Sequence, residues 1–393
     1  YKIQEERFIN AQQNNHTLNK RAISLDLARG FMLLLIVLAH APLYLYASDP
    51  GIMSRPRSIT FIDSLINTFG ELFIDNRARP LFAVLFGYGL VLSFEKQLSR
   101  GSTIKAAIKI IRRRCYYLIV FGIILAVFIG GQDILMAYGV AGLLVSWLLP
   151  RDNRVLIKAA AIICIVILFY LPFVWGSFLN EMGRYGFGSD FSRDDHYIQL
   201  LTEAIVSFPI VPIFIHFLFP IIPSVLLGIW SGRKRLLTDP HAHHKRLKII
   251  AVIGITISII GAVPLVMIGE VWKPGYFAAG IIWGIHIITG MAAGIGYAAL
   301  FGVIGNHIKK SDWITNSIVA LGQRSLTFYV LNEAMLVILL SPAALDLGGT
   351  LTSSGVTAAA IFLWIAAVII ASILAKYNRK GPLEHLMRRL VYK

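Results

Sequence analysis

Arg29 and His40 stand 11 residues apart in the first long apolar stretch of the chain. At roughly 100° per residue that spacing returns to nearly one helix face, with a rise of about 16 Å between the two side chains. A guanidinium and an imidazole on one face could hold an anion and move a proton, two needs of group transfer. Asp26, three residues before Arg29, is placed to pair with it. The structural alternative is that Arg29 snorkels to headgroups while His40 bonds a neighbouring helix. Glu333, in the apolar stretch 318–341, is the most expensive carboxylate in the chain, and it must pair, take up a proton or face water. An ion pair with an arginine of another span is one account of it; orienting a catalytic histidine is the other. His216 and His286 are lone histidines on apolar stretches, each read first as a hydrogen-bonded structural histidine. No HxxxH or HxxE spacing joins them, so no metal site is expected. Asp133 either caps a helix or presents a carboxylate to an outer-facing acceptor.

These residues need a scaffold, and composition names it. Of 393 residues 56% are hydrophobic and only 15% charged. Roughly a quarter charged is usual for a soluble domain, so the chain reads as an integral membrane protein. The only cysteines, Cys115 and Cys164, lie inside apolar runs, which excludes a disulfide scaffold and a cysteine zinc site. No P-loop, GxSxG or HExxH pattern is present. The net charge of +16 comes from Lys and Arg in short segments between apolar runs. That pattern points to anionic lipid rather than nucleic acid, which is not an expected partner.

The fold expected is all-α: a polytopic bundle of about ten membrane helices over 27–46, 80–97, 115–131, 134–149, 156–174, 207–231, 248–268, 280–304, 318–341 and 353–376. With both termini cytoplasmic, the inner segments carry 24 Lys and Arg and the outer ones 7, Arg55 and Arg77 among them. A cytoplasmic arm occupies 1–26, the transmembrane domain 27–376 and an amphipathic cytoplasmic tail 377–393. Nothing after the first span looks like a cleavage site, so it is read as retained. Residues 60–75 carry Asp63, Glu71 and Asp75 at helical spacing before Asn76-Arg77-Ala78-Arg79-Pro80. They read as an outer helix, interfacial or re-entrant, because Pro80 ends any continuous helix near 79. The outer loop 175–206, with Gly183, Gly186 and Gly188 and the run Arg193-Asp194-Asp195-His196, reads as a lid or binding element. No internal repeat supports an inverted-repeat transporter.

Four separated stretches resemble one family. They are Arg21 to Gly30, Arg79-Pro80 to Gly89, Asp133-Ile134-Leu135 with Tyr138, and Leu321 to Tyr329 together with Gly381-Pro382-Leu383-Glu384. Together they look like the YeiB-like family of bacterial multipass proteins, a domain of unknown function, over nearly the whole chain. That family is distantly similar to the transmembrane acyltransferases, including the acyltransferase-3 enzymes and the heparan-glucosaminide N-acetyltransferase. In the acyltransferase-3 enzymes a basic residue, ten residues and a catalytic histidine open the first span, and Arg29 and His40 match that spacing. The chain departs from the family in its third span, where Gly122 leads to Leu125 rather than to a histidine.

The resemblance implies acyl transfer from cytoplasmic acyl-CoA (acetyl-CoA) to a hydroxyl or amine of an envelope glycan or lipid, in the bacterial cytoplasmic membrane. His40 would be base or nucleophile and Glu333 would orient it. Arg29 would hold donor phosphate, joined as donor-binding candidates by Arg79 and Arg324 in the family motifs and Arg113 in the basic segment 98–114. The bilayer and the envelope acceptor are the expected partners, and pairing with a second copy stays open. The rival class is a proton-coupled transporter or lipid flippase using His40, His216, His286 and Glu333 as a relay. A non-catalytic sensor or assembly factor is the third.

Overall fold

The computed structural model describes residues 23–47, 49–187, 189, 191–269, 271–308 and 312–392. The arm expected at 1–26 lies outside them as far as residue 22, as does Gly188. The described residues form α-helices and short 3-10 or π turns without a strand. In order the helices are α1 (Ile23–His40), α2 (Phe61–Phe73), α3 (Ala78–Ser99), α4 (Ile104–Ile123), α5 (Leu135–Val145), α6 (Asn153–Met182), α7 (Tyr197–Ser207), α8 (Val211–Leu218), α9 (Ile222–Arg233), α10 (His244–Val266), α11 (Tyr276–His307), α12 (Trp313–Gly322), α13 (Ser325–Leu340), α14 (Ser353–Lys376) and α15 (Pro382–Tyr392).

Six runs are long and apolar enough to cross a bilayer, seven if the bent pair α7–α8 counts as one. All ten expected stretches fall on helices. Four of them, however, fall on helices that are short, broken or basic: α4, α5, the pair α8–α9 and the pair α12–α13. The chain is therefore a polytopic helical membrane bundle, with six or seven spans by length and composition where ten were expected.

Loop contacts respect two sides. Arg233 donates to the carbonyls of Leu148 (2.9 Å) and Leu149 (3.2 Å) and to Asn153 (2.7 Å), and Gln97 donates to the Tyr392 hydroxyl at 3.2 Å. All of these lie in inner segments or at the span ends expected to face inside. Phe187 N–H donates to the Met53 carbonyl (2.7 Å), Tyr185 to that of Pro274 (2.6 Å), and Arg193 pairs with Asp346 at 3.7 Å. Those join segments expected outside.

The helix expected at 60–75 forms, as α2. A Thr60–Asp63 capping box starts α2, and the chain then runs through a short break into α3 instead of turning back. Phe61–Ser99 forms one 39-residue candidate span. At the break Asn76 adopts φ 55°. Broken backbone at membrane depth survives only where its carbonyls find partners. Arg77 supplies them, donating to the carbonyls of Glu71 (2.9 Å) and Asp75 (2.5 Å) and, across the bundle, to that of Ser258 (2.9 Å). Arg55 and Arg77, read as outer-loop charges, are thus fully buried. The span 318–341 breaks similarly at Gln323–Arg324, where Arg324 donates to the Ala320 carbonyl at 2.8 Å. The span 207–231 breaks beside Pro220, and there Trp175 donates to the Leu218 carbonyl at 3.1 Å.

Helices approach closely where small residues allow it. A Cβ on Gly87 would lie 2.1 Å from the Val225 carbonyl oxygen, and one on Gly228 2.2 Å from that of Val84, which locks α3 to α9. Helix α1 sits centrally, packed on α3, α11, α12, α13 and α14.

Candidate active site

The last residue of α1 is His40, after which Ala41–Tyr44 tighten into a 3-10 turn carrying Pro42. This turn fixes the imidazole at the helix end and carries Tyr44 beyond it. Helix α13 passes alongside and brings Glu333 to the ring. His40 Nδ1 and Glu333 Oε1 lie 2.7 Å apart, with Glu333 fully buried and the His40 side chain 11% exposed. With the proton on Nδ1 the carboxylate accepts it, and Nε2 is left as the free acceptor of the ring. Nε2 meets no hydrogen-bond partner among the described residues. Glu333 Oε2 is likewise buried without one.

The third wall is the turn before α5. A π turn, Ile124–Ile129, ends at Gly130, whose φ of 79° is one that a side chain would strain. Gly131 follows beside Glu333: a Cβ there would stand 3.3 Å from the Cβ of Glu333 and 2.8 Å from Leu125. The turn is pinned by two tyrosines. Tyr44 accepts from Gln132 N–H at 3.2 Å, and Tyr329 donates to the Gln132 carbonyl at 2.7 Å while accepting from Ile134 N–H at 3.1 Å. Asp133 accepts from the amides of Leu135 and Met136, both at 2.8 Å, so it does cap α5. Burial nevertheless pushes its carboxyl up to about 6; the two amides oppose that rise, the charge of Glu333 adds to it and His40 draws it down. On the outer side Phe191, from the loop 175–206, stacks on Tyr44 with ring centroids 6.0 Å apart.

Of the expected site residues, the structure gathers His40, Glu333 and Asp133. Tyr44 was missed, and Tyr329 was read only as part of a motif. Arg29 lies further down α1, 3.5 Å from Asp26 and packed over Gly89 of α3. The other donor-binding candidates sit in three further settings. Arg79 stacks on the Phe219 ring at 4.3 Å and has no hydrogen-bonding partner for its guanidinium among the described residues. Arg324 donates to the carbonyls of Ala320 and Arg379 and so ties the tail to α13. Arg113 lies 6.0 Å from the Tyr117 ring.

The remaining histidines do not join the dyad. His216 Nε2 meets the Ala137 carbonyl at 3.0 Å, and His286 accepts from Arg77 at 3.0 Å. No group of three His, Cys, Asp or Glu that could hold a metal occurs among the described residues. The fourth motif turns out to be an architectural one. Glu384 accepts from Leu326 N–H at 2.7 Å and Thr327 N–H at 3.2 Å, supplying the N-terminal cap that α13 lacks in its own sequence.

The chain resembles two curated proteins that carry no assigned activity. An "Uncharacterized protein YxaH" of Bacillus subtilis (strain 168) is 24% identical, and the match covers 95% of both chains. An "Uncharacterized 39.9 kDa protein in amylase 3'region" of Bacillus acidopullulyticus is 23% identical, again across 95% of both. A family model described as "Protein of unknown function (DUF418)" matches residues 231–393, a region that holds Glu333, Arg324 and Glu384 but not His40 or Asp133. The match runs from the end of α9 to the tail and takes in the motifs Leu321 to Tyr329 and Gly381 to Glu384 that carried the resemblance.

Proposed function

We propose that this chain is a membrane-embedded acyltransferase that moves an acyl group, acetyl in the simplest case, from acyl-CoA to a hydroxyl or amine of an envelope glycan or lipid. The carrying observation is the buried His40–Glu333 pair, whose second imidazole nitrogen has no hydrogen-bond partner among the described residues. In this reading Glu333 holds Nδ1–H and fixes the tautomer, while Nε2 takes the acceptor's proton as its oxygen or nitrogen attacks the thioester carbonyl. The C–S bond breaks, and the proton on Nε2 passes to the departing thiolate. Direct attack by Nε2, giving an acyl-imidazole, uses the same geometry. Arg29 steers the donor from the cytoplasmic side, and the membrane is the bacterial cytoplasmic one.

The proton-relay reading has less support, because His216 and His286 are each engaged away from the dyad, with Ala137 and Arg77. The test is transfer of label from [acetyl-14C]acetyl-CoA to extractable lipid or glycan in inverted membrane vesicles containing the wild-type chain or His40→Ala. The proposal expects label transfer that His40→Ala abolishes at equal protein level. Equal transfer by both, or none by the wild type alongside proton-coupled uptake in liposomes, overturns it.

A further inference from the structure

A basic cavity lies at the opposite end of α5 from the dyad. It is an open cleft of about 530 Å³ between one face of α4 and the turn joining α5 to α6. Lys105, Lys109 and Arg112 follow one another at helical spacing along α4, and Arg151 faces them from the turn. Four cations therefore line one cleft. None of the four pairs with a carboxylate among the described residues. Arg112 is the anchored member, its Nε donating to the Ser146 hydroxyl at 2.9 Å, which leaves its terminal nitrogens to point elsewhere.

Like charges gathered without a counter-ion repel, and a protein keeps such a group where an anion offsets the cost. The nearby carbonyls of Leu148 and Leu149, which could have eased the repulsion, are already taken by Arg233. Trp147, 49% exposed, and Ile108 add apolar wall beside the cations. A basic cleft with an aromatic edge suits a phosphate ester carrying an organic group better than a bare ion.

We infer that the cleft formed by Lys105, Lys109, Arg112, Arg151 and Trp147 is a binding site for a phosphate ester. Two sources share that chemistry: the headgroup of an anionic phospholipid and the phosphates of a soluble nucleotide-bearing molecule such as coenzyme A. The inference stands apart from acyl transfer, since it concerns binding only.

The experiment uses the full chain in nanodiscs and the double variant Lys109→Gln/Arg151→Gln, whose two side chains are exposed and make no hydrogen bond or ion pair among the described residues. Two probes are applied: free coenzyme A by calorimetric titration, and phosphatidylglycerol retention by native mass spectrometry. The expected result is about tenfold weaker binding of one probe, restored by Lys109→Arg/Arg151→Lys. Loss confined to coenzyme A identifies the soluble source, and loss confined to phosphatidylglycerol identifies the lipid. The control Lys245→Gln/Lys248→Gln removes the same charge from the start of α10. If that control weakens binding equally, or if neither probe responds to the cleft variant, the site is overturned.

Discussion

The Tyr329 hydroxyl donates to the Gln132 carbonyl at 2.7 Å and accepts from the amide of Ile134 at 3.1 Å. One phenol on α13, the helix that also carries Glu333, thus holds two backbone groups of the turn that carries Asp133. Tyr329→Phe strands a buried amide and a buried carbonyl, at a cost of about 1–3 kcal/mol. Thermal unfolding in detergent checks this, and an unchanged midpoint contradicts it.

Arg55 and Asp75 form a two-pronged buried ion pair at 2.6 and 2.9 Å beside the break between α2 and α3. Removing one partner leaves an uncompensated buried charge, costing about 3–5 kcal/mol, whereas replacing both with apolar groups costs far less. Asp75→Leu should therefore lower yield and thermal stability sharply, and Arg55→Met/Asp75→Leu should recover most of the loss. A double variant as unstable as the single one contradicts this.

Asp133 gives a pH signature. Its carboxyl, pushed up to about 6 in the fold by burial, titrates near 4 in an unfolded chain, roughly the ordinary value. The fold therefore binds that proton more tightly than the unfolded chain does. The stability contributed is complete below about 4 and lost as pH rises through about 6. Relative to Asp133→Asn, which has nothing to titrate there, the wild-type unfolding midpoint should fall between pH 4 and pH 7. A rise over that interval contradicts the assignment.

The sequence carried the bundle and half of the site, and the reasons are physical. Hydropathy marked ten stretches that all fell on helices, because a bilayer punishes polar residues along a whole span, but it missed α7, which forms inside the expected outer loop 175–206. The spans at 60–99, 207–231 and 318–341 were harder, since their breaks are repaired by distant side chains. Arg77 reaching the Ser258 carbonyl and Trp175 reaching that of Leu218 have no local signature. Glu333 was legible as a carboxylate needing a partner, and His40 as an imidazole needing an orienter. Tyr44 was not, because an aromatic on an apolar helix reads as packing until its hydroxyl is seen to meet Gln132. Arg55 looked like an ordinary outer-loop charge, and only the tertiary fold buries it against Asp75.

The most direct measurement is the initial rate of thioester loss from acetyl-CoA by the reconstituted chain, compared with His40→Ala and Glu333→Gln at matched folding. The account predicts that His40→Ala falls to background. It predicts that Glu333→Gln, which keeps a hydrogen bond to Nδ1 but loses the charge that steadies the imidazolium, falls by about a hundredfold or more. Full rates in both well-folded variants would contradict the His40–Glu333 pair as the catalytic centre.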